Sequence, residues 1–365
     1  MIKTIEIDQF RGIQQLKLDG LRKLNIIVGP SASGKTALLE ALRLAIGATP
    51  QTAFNLVNRG MPNFPILPNP SREQFESLWS SLFFNFRTDT EINLKVIDST
   101  DRTAQLTIFF DQSKALVATQ SALSLSGTAS SSSAGQPSIP PAIAPLTFKR
   151  KPFTGPETTL HATVNPNGQL QFEQGGELGS IVDFLSPIWQ TNPQQIAALF
   201  SQLSIANKTD GIVEALKEQF PQITGLSVQS PTYLPALYAT LKHVARQMPL
   251  ARVSSGINKF VSLLLAVETA GSGVLLVDEV ENGIYYQTMP KLWNLLRSSA
   301  NQASAQLFLT THSWECLKSV APMIETTSED FSLIQMYQED GKSVAKVVPG
   351  EHAAAAIEAG IEVRA

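Results

Sequence analysis

The sequence predicts an α/β fold built on a parallel core sheet, and three stretches predict it. Leu24-Asn25-Ile26-Ile27-Val28 is a mostly apolar run that leads directly into G-P-S-A-S-G-K-T, Gly29 to Thr36, and then into a helical pattern. Gly273 to Glu279 reads G-V-L-L-V-D-E, an apolar strand ending in two acids. Gln306 to Thr310 is a further apolar strand, continuing into T-H-S. Strands covered on both faces read as apolar runs rather than alternations. Ligands of such sheets bind at the carboxyl ends of the strands, where all three runs carry their polar residues.

Composition sets the frame. The chain has 365 residues, 43% hydrophobic and 16% charged, which is enough apolar mass for one large core or two joined lobes. A net charge of −3 excludes a global basic field for nucleic acid, though not a local patch. The single cysteine, Cys316, excludes an internal disulfide and suits a reducing, cytoplasmic setting. The start M-I-K-T-I-E-I-D alternates like a strand and is unlike a secretory signal. No apolar run approaches the ~20 residues needed to span a bilayer, so no membrane partner is expected.

The elements follow in order. Ile2 to Asp8 and Gln14 to Leu18 alternate as strands joined by Q-F-R-G. After the glycine loop, Leu38, Leu39, Leu42 and Ile46 share one helical face, with Gly47 as the expected C-cap. A loop dense in proline and asparagine precedes a helix from Ser71 to Phe83. Ser71 and Gln74 form a capping box there, and Phe75, Leu78, Trp79 and Leu82 make the buried stripe. Ile92 to Ile97 and Ala104 to Phe110 alternate as a meander and close an N-terminal lobe, residues 1–118. Thr119 to Pro145 is Ser-, Ala-, Gly- and Pro-rich without a charge, and a low-complexity loop is expected over 119–147. Leu160 to Val164 and Leu170 to Phe172 read as a hairpin around N-P-N-G. Pro193 to Leu203, Asp210 to Phe220 and Leu234 to Met248 read as helices, giving a helical lobe over 180–250. Residues 251–330 carry the remaining motifs, and 331–365 are expected to form terminal strands and a helix.

The motifs define a chemistry. Gly29 to Thr36 fills the phosphate-binding template G-x-x-x-x-G-K-[ST] between strand and helix. Gly29, Pro30, Ser31, Ala32, Ser33 and Gly34 form the loop, whose N–H groups all but Pro30 supply, and Lys35, Thr36 and Ala37 open the helix. Together they converge on a nucleotide's phosphates. Lys35 is expected at the β and γ phosphates and the Thr36 hydroxyl at magnesium, so ATP and Mg2+ are the implied ligands. Asp278 stands where a Walker B aspartate holds the magnesium shell, and Glu279 where a general base polarises water. His312, at the next strand end, is placed to hydrogen-bond the γ-phosphate and orient that water. Upstream, R-V-S-S-G-I-N-K-F opens a helix bearing Phe260, Val261, Leu264, Leu265 and Val267. Ser254, Ser255 and Gly256 offer a serine and free N–H groups at its N-terminus, an anion site.

In this order the motifs resemble the ABC-type ATPase heads of the SMC and recombination-repair group. Val253 to Ile257 is a degenerate form of their L-S-G-G-Q signature, with Ser255 for the first glycine and Ile257 for the polar last residue. More closely, the chain is similar to stand-alone AAA-type ATPases related to the OLD (overcoming lysogenization defect) family. The stretches I-K-T-I-E-I-D-Q-F-R-G-I, G-V-L-L-V-D-E-V-E-N-G-I-Y-Y, F-L-T-T-H-S-W-E-C-L and G-I-E-V-R carry the likeness. It spans the chain apart from about Thr119 to Leu178. The resemblance implies a P-loop NTPase with an ABC-type head: a parallel core sheet, an antiparallel β subdomain and a small helical lobe. It implies a head-to-tail homodimer with two ATP molecules between the P-loop of one copy and the signature of the other. It implies that Arg11 approaches the nucleotide and that Asn282 to Tyr285 is the D-loop. A magnesium-sensing glutamine is expected within Val182 to Gln195, with Gln190, Gln194 and Gln195 as candidates. Ser31 replaces the family's usual asparagine, where the backbone does the work. No Toprim nuclease domain is expected before Ala365, so an effector, such as a nuclease, would be a separate protein. The function expected is an ATP-hydrolysing switch that regulates such an effector in phage defence or genome maintenance. The alternative is an ATP-dependent DNA-binding repair clamp, with Lys242, His243 and Arg246 as a local basic face.

Overall fold

The computed structural model describes residues 1–58, 70–114, 143–165, 168–179, 182–185, 193–231 and 233–359. β1 (Ile2–Phe10) and β2 (Ile13–Asp19) form an antiparallel pair. β3 (Leu24–Val28) leads through the glycine loop into α1 (Lys35–Gly47), followed by α2 (Pro50–Val57) and α3 (Arg72–Ser80). β4 (Ile92–Asp98), β5 (Thr103–Phe110), β6 (Leu146–Lys151), β7 (Thr158–Val164) and β8 (Leu170–Phe172) then complete a seven-stranded sheet in the order β2-β1-β4-β5-β6-β7-β8. Every pairing in it is antiparallel. Alternation explains it: Ile92, Leu94 and Val96 of β4, with Ala104, Leu106 and Ile108 of β5, all turn to one buried face.

The second sheet is the core. β9 (Val182–Leu185), α4 (Pro193–Ile205), α5 (Asp210–Gln219), β10 (Ile223–Gln229), β11 (Ala236–Leu241) and β12 (Met248–Pro249) come first. α6 (Leu250–Val253), α7 (Ser255–Ala270), β13 (Val274–Val277), α8 (Met289–Ala303), β14 (Gln306–Thr310) and α9 (Trp314–Thr326) follow. β15 (Phe331–Glu339), β16 (Lys342–Pro349) and α10 (Gly350–Glu358) are the last elements described. The sheet order is β16-β15-β3-β14-β13-β9, parallel throughout except for the β15–β16 hairpin. β3, β13 and β14 bury every residue, which is why they read as apolar runs. Their two faces belong to different cores. Ile26, Leu275 and Leu309 pack with α7, α8 and α9, while Ile27, Leu276 and Phe308 pack with α1 and the antiparallel sheet. All the parallel strands therefore end on one edge, and that edge carries the motifs.

Several expectations need correction. Leu234 to Met248 is not a helix but β11, a turn and β12, paired with β10. Its buried residues, Leu237 and Ala239, recur at two rather than at the helical spacing, and β11 packs on α4. The 180–250 lobe is thus mixed, and β9 belongs to the core sheet. α1 is capped not by Gly47 but by Ala48, which takes the left-handed conformation (φ 46°). Gly47 lies inside the helix against Thr52, where a Cβ would come within 2.7 Å of its hydroxyl. The proline-rich stretch after α1 contains α2. Thr49 caps it and Pro50 opens it, a signal legible in T-P. The 71–83 helix is shorter, as α3, with its capping box as expected. Residues 119–142 of the low-complexity stretch lie outside the described residues. Its predicted end is too late, because Ile143 and Ala144 are buried and β6 begins at Leu146.

Candidate nucleotide-binding site

The P-loop leaves the C-terminal end of β3 and is shaped from behind. Gly29 (φ 145°) and Gly34 (φ 99°) take conformations that side chains rarely adopt. A Cβ on Gly29 would lie 2.1 Å from the Met336 carbonyl oxygen, and one on Gly34 would lie 2.4 Å from Ser343 Oγ. Gln338 Nε2 donates to Ala32 O at 2.9 Å. The β15–β16 hairpin, some 300 residues downstream, therefore moulds the loop. Nothing in the motif template points to Met336, Gln338 or Ser343, and only the pairing of β15 beside β3 brings them there.

Lys35 is buried, and its Nζ donates to the carbonyls of Gly29 and Pro30, both at 2.7 Å. Burial pushes its ammonium down to about 8, against the opposing pull of Asp278, Glu279 and Glu281. Thr36 Oγ1 donates to Asp278 Oδ2 at 3.1 Å. Thr310 Oγ1 donates to Asp278 Oδ1 at 2.7 Å and accepts from Glu279 N at 2.7 Å. The start of α1 is thereby tied to the ends of β13 and β14. Thr310 was not singled out in the sequence, although it stands two residues before His312.

Glu279 has a left-handed backbone (φ 51°), and its Oε1 lies 3.8 Å from His312 Nε2. Asn282 Nδ2 donates to the other oxygen. Ser254 caps α7, accepting from Ile257 N at 3.5 Å, with Ser255 as the first helical residue. A Cβ on Gly256 would lie 2.3 Å from Gly283 O, so the signature-like turn rests directly on the turn after Glu279. Among the described residues, no hydrogen bond joins Ser254–Gly256 to the P-loop of the same chain. Arg11 Nε lies 2.5 Å from Glu40 Oε2, while Nη2 and Nη1 donate to Leu56 O and Ser81 O at 3.2 and 3.4 Å. It ties α1 to α2 and to the end of α3. Gln190 lies outside the described residues, and Gln194 and Gln195 stand on the first turn of α4.

The donor set fits the implied ligands. The two glycines let the loop close against the β15–β16 hairpin, where any side chain would collide with Met336 or Ser343. The Thr36 and Asp278 oxygens, 3.1 Å apart, are hard donors of the kind Mg2+ takes while keeping several waters. Among the described residues no His, Cys, Asp or Glu cluster is dense enough for a fully protein-bound metal.

The family described as AAA ATPase domain matches residues 1–223, well over half of the chain. The chain belongs to that family. A second family, described as AAA domain, putative AbiEii toxin, Type IV TA system, matches residues 191–316 of this AAA ATPase. The P-loop NTPase fold class is as expected. An "ATP/GTP phosphatase" of Helicobacter pylori is 24% identical over 380 residues, covering 96% of each protein. The "DNA replication and repair protein RecF" of Psychromonas ingrahamii is 58% identical over 41 residues, 11% of each. Among solved structures, an SMC head bound to the C-winged helix domain of ScpA aligns with TM-score 0.49 and 12% identity, covering 96% of this chain and 99% of that one. The SMC head domain from Thermotoga maritima aligns with TM-score 0.45 and 13% identity, covering 95% and 98%. No helix among the described residues is long and apolar enough to cross a membrane.

Proposed function

We propose that this AAA ATPase is a magnesium-dependent, ATP-hydrolysing switch that closes as a head-to-tail homodimer and regulates a separate effector. The observation that carries it is the Thr36–Asp278–Thr310 chain of hydrogen bonds, which sets the metal-binding oxygens beside the P-loop with Glu279 and His312 alongside. Magnesium at Thr36 and Asp278 would supply charge neutralisation of the β and γ phosphate oxygens. Lys35 exchanges its two loop carbonyls for phosphate oxygens. Glu279 accepts the proton of the attacking water, and His312 holds that water against the γ-phosphate. The name of the Helicobacter relative supports hydrolysis.

Dimerisation is supported by the Ser254–Gly256 turn, which among the described residues makes no hydrogen bond to the chain's own P-loop. Tyr285 and Tyr286 stand exposed beside it with ring centroids 4.9 Å apart. Glu279→Gln should slow phosphate release and accumulate an ATP-bound dimer in light scattering. If it stays monomeric in saturating ATP, the dimer is wrong. Lys35→Ala should abolish nucleotide binding, and unchanged affinity would sink the P-loop assignment. Phage defence or genome maintenance is the setting proposed, with a nuclease as one effector. A DNA clamp is the second reading. Lys242, His243 and Arg246 are all exposed on the turn between β11 and β12, and the RecF likeness points the same way. Salt-dependent retention of duplex DNA by the ATP-bound form separates the two.

A further inference from the structure

The turn after β13 carries a carboxylate that the site described above leaves without a role. Glu281 Oε1 accepts two backbone N–H bonds, from His312 at 2.8 Å and from Ser313 at 3.1 Å. Ser313 is also the N-cap of α9, where its hydroxyl accepts from Cys316 N at 3.2 Å. The carboxylate thus sits at the positive end of a thirteen-residue helix and grips the short loop that presents His312. Its second oxygen, Oε2, is buried and has no hydrogen-bond partner among the described residues. A buried carboxylate oxygen left so is tolerated when opposite charge is near, and the field of Glu281 reaches both Lys35 and Lys259 of α7.

The turn bearing Glu281 is itself fixed at both sides. Asn282 N donates to Glu279 O at 3.1 Å and Ile284 N donates to Glu281 O at 2.9 Å. One residue further on, Gly283 O lies against Gly256. A single short segment therefore touches Glu279, the His312 loop and the N-terminus of α7.

We propose that Glu281 is a positioning residue, which holds the His312 and Ser313 amides and so sets where the His312 imidazole stands relative to Glu279. Because the same turn bears on Gly256, a shift of the Ser254–Gly256 turn reaches His312 through this carboxylate. The catalytic half of this inference rests on the ATPase reading above, while the grip on the loop does not.

Glu281→Gln keeps an oxygen that accepts both amides, and Glu281→Ala removes it. In the full chain, amide hydrogen exchange at His312 and Ser313 should quicken by about tenfold or more in Glu281→Ala and stay near wild type in Glu281→Gln. Turnover of ATP should fall by about tenfold in Glu281→Ala, with KM within about twofold, and be rescued in Glu281→Gln. In a His312→Ala background, adding Glu281→Ala should cost no more than about a further twofold, because both changes remove the same contribution. Unchanged exchange in Glu281→Ala overturns the grip. Losses that multiply in the double variant overturn its action through His312. A wild-type chain that exchanges slowly at these amides yet releases no phosphate upholds the grip and sinks the ATPase reading instead.

Discussion

A methyl group at Gly256 measures how closely the signature-like turn must approach the turn after Glu279. In Gly256→Ala the new Cβ would stand 2.3 Å from the carbonyl oxygen of Gly283, whereas ordinary contact begins at 3.4 Å. The two backbones must part by about 1 Å, and neither is free to yield. Gly283 holds a left-handed conformation (φ 76°), and Gly256 opens a helix whose Ile257, Phe260 and Val261 are buried. Overpacking of this kind costs about 1–3 kcal/mol. For a chain of this size that lowers Tm by about 1–4 °C. The displacement falls two residues from Glu281 and four from Glu279, so turnover should drop by about tenfold to a hundredfold, as misplacements of about 1 Å do. ATP affinity should stay within about twofold, since the P-loop is shaped from the other side by β15 and β16. Thermal melts, a fluorescent nucleotide titration and phosphate release measure the three quantities. Gly211→Ala is the control, because its Cβ would meet open space in α5. A Gly256→Ala variant that melts and turns over like wild type refutes the close packing. One that loses ATP affinity in step with turnover refutes the separation of this turn from the P-loop.

Other outcomes follow from single contacts. Gln306 accepts from Ile2 N at 2.7 Å and donates to Ile2 O and Arg22 O, both at 2.8 Å. Gln306→Ala strands three backbone groups and should cost about 2–4 kcal/mol, read as a lowered urea midpoint at constant slope. A loss under about 0.5 kcal/mol would show that the pairing of β1 with the core does not need it. At Asp98, burial raises the pKa, but hydrogen bonds from Thr100 and Arg102 outweigh it and hold the carboxyl well below the usual carboxylate range. The unfolded chain then binds a proton before the folded one does. The stability this group contributes is present above about pH 4 and is lost as pH falls below it. Asp98→Asn should flatten the acid limb of the melting profile, and an unchanged limb would contradict the assignment. Gln338→Ala frees the Ala32 carbonyl and should weaken ATP binding by about threefold with little change in Tm. Equal affinity would show that the glycines alone hold the loop.

Core strands β3 and β14 were legible because burial on both faces leaves them mostly apolar. Leu24–Val28 and Gln306–Thr310 were read to the residue. The capping box at Ser71 was legible because its bonds are local. The 234–248 stretch was misread because Leu237 and Ala239 satisfy a strand only when β10 lies beside them. The α2 helix was missed because the prolines around it outweighed the cap at Thr49.

The sequence by itself names the residues of the candidate site. G-P-S-A-S-G-K-T, D-E and T-H-S name a phosphate loop, two acids and a histidine, each at the end of an apolar strand, because a parallel sheet places all such ends on one edge. How these parts are held depends on the packing of distant segments. Met336 and Ser343 mould the P-loop, Thr310 joins Asp278 to the backbone of Glu279, Glu281 grips the His312 loop, and Gly283 bears on Gly256. These are contacts between segments from about 30 to about 300 residues apart in the chain, most of them through one oxygen or the absence of one Cβ. Such contacts leave no periodicity in a sequence, since they are properties of where two backbones meet.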